Sequence, residues 1–169
     1  MVRCRPSDPE WPGAAAWDAL NKEVEGRLIK IGSPLGACAG APDSAACQEL
    51  MRNLRNPFFM GDQVWGTQSS GWVDAWIAAP SVYAVAAKTT GDVVAAVNFA
   101  REHNLRLVIK GGGHSYQGTS NAPDSLLVWM RAMNEIALHD DFVPQGCGTP
   151  PQSAVSVGAG AIWLHATTR

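Results

Sequence analysis

Lys110-Gly111-Gly112-Gly113-His114-Ser115-Tyr116-Gln117-Gly118 concentrates the residues of this chain best suited to chemistry. Three consecutive glycines let the backbone come close to a bulky guest, and their successive N–H groups can form a concave nest for an anion such as a diphosphate. Ser115 offers a further hydroxyl donor, and His114 places an imidazole at the edge of that nest. A plain tight turn is the other reading of Gly111–Gly113. No Gly-Lys-Ser/Thr closes the run as in a P-loop, and no G-x-G-x-x-G is present. Gly158-x-Gly160 lacks the third glycine and is weak by itself. No H-x-x-x-H or H-E-x-x-H spacing supports a metal site, and His103, His139 and His165 have no evident partners. Ser115 with a histidine and an acid would be a hydrolase triad, although no G-x-S-x-G elbow holds it.

The elements that must position this run can be read around it. Tyr83–Ala87 suits a short buried strand. Thr89-Thr90-Gly91-Asp92 is a helix start, with a threonine cap and an acid three residues on. Val93, Val97 and Ala100 mark an apolar face up to His103, and Asn104 stops the helix. Arg106–Lys110 is the next strand, which makes a βαβ unit with parallel strands. The glycines then follow the carboxyl end of the second strand, where open α/β sheets bind ligands.

Further on, 125–129 and 154–157 read as strands, 133–138 as a turn into a strand, and 144–151 as a loop. Gly158-Ala159-Gly160-Ala161 leads into a helix begun by Ile162-Trp163-Leu164. Upstream, Trp17, Leu20 and Val24 recur at helical spacing. Asp43 or Ser44 caps a second helix carrying Cys47, Leu50, Met51 and Leu54. Asn56–Asp62 breaks that helix, and the stretch through Trp76 reads as irregular. The last helix ends without a cap, so the chain reads as a fragment of a longer protein.

The 169 residues are 46% apolar with a net charge of -2, enough for a buried core and without a basic footprint for nucleic acid. No apolar run is long enough for a membrane span. Met1–Pro6 has no apolar stretch behind its arginines, so no signal peptide is visible and localisation stays open. Seven tryptophans spread along the chain suit core and interface packing. The four cysteines form no C-x-x-C. Cys38 and Cys47 flank a short loop, and either a disulfide or two small buried thiols fits them.

From Pro80 to Ser120, with Gly111–Ser120 at the centre, the sequence resembles the berberine-bridge-enzyme-like branch of the vanillyl-alcohol-oxidase flavoproteins. The span from Trp76 onward is similar to the first part of their PCMH-type FAD-binding domain. The resemblance implies an α+β fold: a first α/β subdomain containing the βαβ unit, then the start of a second. Residues 1–75 would form a helical and loop-rich extension, and 76–169 the FAD-binding domain, truncated at its C-terminus.

It also implies that Gly111, Gly112, Gly113, His114 and Ser115 wrap the FAD diphosphate. Tyr116, Gln117 and Gly118 would continue past the flavin, with Gly158 and Gly160 lining it again. His114 would carry a covalent link to the flavin 8α-methyl. The second, cysteinyl link of many relatives is not assigned; Cys147 lies in a loop ahead of the strand that such a cysteine normally follows. The full-length protein would be an FAD-dependent oxidase acting on an alcohol, sugar or secondary metabolite, with oxygen as acceptor. Its catalytic base, substrate and oligomeric state cannot be read here. Such relatives are often exported. A truncated module unable to hold FAD, and a serine hydrolase, are the competing readings.

Overall fold

A computed structural model describes residues 3–68, 71–77 and 79–168. Its centre is a four-stranded sheet in the order β1 (Leu28–Lys30), β4 (Tyr83–Ala86), β6 (Ser125–Trp129) and β5 (Arg106–Lys110). β4 (Tyr83–Ala86), α4 (Thr90–Glu102) and β5 (Arg106–Lys110) form the expected strand–helix–strand succession. Thr89 caps α4 and accepts from the Asp92 amide, while the Asp92 carboxylate accepts from the Thr89 amide, a full capping box.

β4 and β5 are parallel, but they are not neighbours. β6 (Ser125–Trp129) lies between them, with Ala84, Leu127 and Val108 in register across the three strands. The reason is burial. Ser125, Leu126, Leu127 and Val128 are all buried, so β6 has an apolar surface on both faces and takes the interior place. β1 (Leu28–Lys30) pairs antiparallel on the outer side of β4. Three residues carry too little periodicity to announce this strand, and the sequence did not suggest it.

Two apolar layers cover the sheet. On one face α1 (Ala14–Glu23) and α4 bring Trp17, Leu20, Ala96 and Phe99 against Val85, Leu126 and Val128. Trp17 stacks on Tyr83 with ring centroids 4.0 Å apart, and Phe99 lies 4.8 Å from the same indole. On the other face Ala84, Val108, Ala122 and Leu127 form a smaller cluster. Residues on both sides of position 76 thus build one core.

Asp92 fastens this core to the segment before β1. Its Oδ1 accepts from Arg27 Nη2 at 2.6 Å, and its Oδ2 accepts from the amides of Lys88 and Thr89, each at 2.9 Å. Burial pushes the carboxyl up, but the guanidinium and the two amides outweigh it and hold the pKa at about 2. A depressed carboxyl contributes stability above its unfolded pKa and loses it as pH falls through the folded one. Acid unfolding should therefore steepen between about pH 4 and 2, with ~2 kcal/mol at stake. In Asp92→Asn, urea midpoints measured across that window should lose this slope; an unchanged slope would sink the assignment.

The remaining elements are short. Ser44 caps α2 (Ala45–Asn53), and Cys38 and Cys47 are joined as a disulfide, which settles the two readings of that pair. Cys47 and Leu50 face inward from α2, whereas Met51 is exposed. α2 stops at Asn53, before the expected breaker, and Asn56 starts another helix. Its side chain accepts from the amides of Phe58 and Phe59, opening α3 (Pro57–Gly61). β2 (Gly71–Trp72) and β3 (Trp76–Ile77) make a minimal hairpin in the stretch read as irregular. β7 (Ile136–Phe142) and β8 (Gln152–Val157) form a second hairpin, followed by α5 (Trp163–Thr167). Among the described residues no helix is long and apolar enough to cross a membrane.

Candidate functional site

The glycine run leaves β5 at the carboxyl end of the parallel strands. Gly113 is buried with φ +75°, a conformation that side-chain-bearing residues rarely adopt. A Cβ on Gly112 would lie 2.5 Å from His114 Nδ1, so the imidazole folds back over this glycine and would have to turn aside for a larger residue. Among the described residues, the amides of Gly112, Gly113, His114 and Ser115 donate to no acceptor. Four successive N–H groups without an internal partner, beside an exposed imidazole, suit an anionic guest.

Beyond His114 the chain is held by its own contacts. Ser115 Oγ accepts from the amides of Gln117 at 3.2 Å and Thr119 at 3.1 Å, and lies 2.7 Å from Thr119 Oγ1. This hydroxyl orders the turn, and among the described residues no histidine or carboxylate hydrogen-bonds it, which removes the support for a hydrolase triad. Trp76 Nε1 donates to the Tyr116 carbonyl at 2.7 Å, and the same indole packs on Gly118, where φ is +73°. Tyr116 itself is largely exposed.

The residue in front of the run is the main feature missed by sequence reasoning. Lys110 is 1% exposed, and its ammonium donates to the carbonyls of Gln63, Val64 and Gly66 at 3.0, 2.7 and 2.8 Å. It also sits 5.4 Å from the centre of the Trp129 ring. Burial pushes its pKa down to about 7. Three carbonyl acceptors use all three donors of the protonated form. The segment after α3 is thereby wrapped around the end of β5. Three further ties hold it: Gln68 N to the Gly113 carbonyl at 3.0 Å, Asn121 Nδ2 to the Trp65 carbonyl at 3.0 Å, and an ion pair of Arg131 with Asp62. A lysine at a strand end gives no hint in sequence that its partners lie more than forty residues upstream.

Gly158 and Gly160 come to the same place. The Ala159 carbonyl would be 2.9 Å from a Cβ on Gly111, so the two glycine segments touch. Gly158 N donates to the Glu135 carbonyl at 2.8 Å and Gly160 N to the Met133 carbonyl at 2.9 Å, fixing the end of β8 against the turn after β6. Cys147 stays apart, exposed in the loop between β7 and β8. Its thiol pKa is lowered by the Thr149 hydroxyl and amide. Among the described residues no cluster of histidine, cysteine or carboxylate could hold a metal ion.

Comparison with known proteins agrees with this arrangement. The family described as FAD binding domain matches residues 81–168, more than half of the chain. The chain is 34% identical to the FAD-linked oxidoreductase easE of Claviceps fusiformis, over 95% of its own length and 32% of that protein. It is 30% identical to the FAD-linked oxidoreductase penH of Penicillium thymicola, over 95% and 31%. Its structure superposes on the VAO-type flavoprotein MtVAO615 of Myceliophthora thermophila with a TM-score of 0.80 and 25% identity, covering 95% of this chain and 32% of the other. The chain thus spans about a third of the length of these relatives. With the α/β sheet and the glycine segments described above, these matches establish that the chain belongs to the FAD-binding domain family of the FAD-linked oxidoreductases, with the fold of the VAO-type flavoproteins.

Proposed function

We propose that this chain supplies the FAD-binding portion of an FAD-dependent oxidase and carries the flavin covalently on His114. The observation that carries this reading is the row of amides from Gly112 to Ser115 that find no acceptor among the described residues, with the exposed imidazole of His114 within it. These amides and that of Gly111 would hold the diphosphate. Tyr116, Gln117 and Gly118 would continue along the flavin, and Gly158 and Gly160 would close the other side. One ring nitrogen of His114 would replace a hydrogen of the flavin 8α-methyl, the two protons leaving to solvent and the two electrons passing through the flavin to oxygen. When bound, FAD supplies the redox step, accepting hydride from a substrate C–H bond, with oxygen as the final acceptor. The substrate would be a small alcohol, sugar or secondary metabolite, as in the berberine-bridge-like branch.

Flavin should stay with the protein after acid precipitation. His114→Ala should release it entirely in that step while still binding FAD reversibly. Retention of covalent flavin in His114→Ala would overturn the tether. Absence of any flavin binding by the unaltered chain would favour a module that cannot hold FAD.

A further inference from the structure

The stretch that carries His114 is gripped from upstream on both sides. Before it, the Gln68 amide donates to the Gly113 carbonyl at 3.0 Å. After it, the Trp76 indole N–H donates to the Tyr116 carbonyl at 2.7 Å. In a planar trans peptide the C=O and the N–H that follows it point in opposite directions. A grip on a carbonyl therefore also aims an amide. Gln68 turns the His114 N–H away from itself, into the row that finds no acceptor among the described residues. Trp76 turns the Gln117 N–H away from the indole, and that N–H donates to Ser115 Oγ at 3.2 Å.

Ser115 is where this chain of constraints ends. Its Oγ also accepts from the Thr119 amide at 3.1 Å and lies 2.7 Å from Thr119 Oγ1. The hydroxyl next to His114 is thus held by the peptide plane that Trp76 fixes. The indole has a second hold through its face. It packs so closely on Gly118 that a Cβ there would lie 2.7 Å from Trp76 Cε3, and Gly118 takes φ +73°. The N–H and the ring face act on different atoms, so one can be removed while a ring is kept. Trp76 sits in β3, 40 residues ahead of Tyr116 and outside the βαβ unit.

We propose that Trp76 is a positioning residue for the cradle: through its indole N–H it fixes the 116–117 peptide, and through that peptide it sets Ser115 beside His114. The importance for FAD rests on the reading of residues 111–118 as the flavin cradle. Trp76 itself need touch no part of the cofactor. It acts on the loop, so its loss loosens the residues that hold FAD without removing any of them.

Trp76→Phe is the test, because it keeps a ring over Gly118 and removes the donor. Amide exchange at Gln117 and Thr119 should accelerate roughly tenfold, while β5 and β6 keep wild-type protection and the thermal midpoint moves by no more than a few degrees. FAD affinity is read by flavin fluorescence in a His114→Ala background, so that covalent attachment does not enter. Adding Trp76→Phe there should weaken it roughly tenfold. Unchanged exchange at Gln117 and Thr119 would overturn the proposal. Equal FAD affinity with and without Trp76→Phe would do the same, and so would loss of the folded state, which would make Trp76 a prop of the fold. If the unaltered chain and His114→Ala both bind no FAD, the flavin reading is what fails. The exchange at Gln117 and Thr119 then still decides whether Trp76 sets Ser115.

Discussion

Lys110→Met should leave the sheet folded but loosen residues 63–66 from the end of β5. Two large terms oppose each other. The variant loses three hydrogen bonds from a charged donor, each worth about 1.5–3 kcal/mol. It also removes a buried ammonium whose pKa has fallen from 10.5 to about 7, a burial cost of about 5 kcal/mol. The sum is small, so the thermal midpoint should move by only a few degrees. The local effect is larger, because the Gln63, Val64 and Gly66 carbonyls lose their shared donor and the segment keeps only its ties through Asp62, Trp65 and Gln68. Amide exchange across 64–68 should accelerate at least tenfold, and flavin retention should fall with it. The pH response gives a second readout. The buried amine releases its proton near pH 7, while an unfolded lysine holds its own to about 10.5. Between those values the unfolded chain binds more protons, so wild-type stability should rise with pH, and Lys110→Met should lose that rise. Unchanged exchange in 64–68 would show that the clamp does not hold the segment.

Gly160→Ala should be the most damaging single-methyl change in the chain. A Cβ at this position would overlap the Met130 carbonyl and lie 2.8 Å from Arg131 Cα. These are backbone atoms directly after β6, so no side chain can turn aside to make room. The 130–132 turn would have to move, and with it Arg131, whose ion pair with Asp62 ties α3 to the sheet. A cost of ~3 kcal/mol corresponds to a fall in thermal midpoint of roughly 6–12 °C for a chain of this size. Gly148→Ala is the control: it meets open space and should leave the midpoint unchanged. Equal midpoints for the two variants would contradict the close approach at Gly160.

The local elements around the site were legible because their signals are local. The Thr89–Asp92 capping box and the strands 106–110 and 125–129 each announce themselves within a few residues. The α4 face was read partly wrong: Ala100 is buried, but Val97 is exposed, and Ala95, Ala96 and Phe99 are the residues that turn to the core, because the sheet takes the small-residue side of the helix. The glycine run was legible because successive glycines after a strand have few physical uses. Strand order was not. Two parallel strands joined by a helix say nothing about a third strand that arrives later and takes the place between them. The Lys110 clamp was hidden for the same reason, since its acceptors are backbone carbonyls and carry no side-chain signature. β1 was too short for periodicity, and the start of α3 depends on the Asn56 cap inside a stretch that reads as a breaker. The disulfide stood undecided against two thiols because spacing alone does not set redox state.

The interior place of β6 has a consequence for how the protein is made. Translation delivers β4, α4, β5 and the whole glycine run before the first residue of β6. Yet Ala86 and Lys110 are both in register with Trp129, the last residue of β6. Until that strand leaves the ribosome, β4 and β5 have no common neighbour, and the nest has only the upstream 63–68 segment to rest on. The vectorial order of synthesis therefore holds the cradle open until residue 129 has emerged. A nascent chain halted between residues 118 and 125 carries the full glycine–histidine run and lacks the strand that would give it shape.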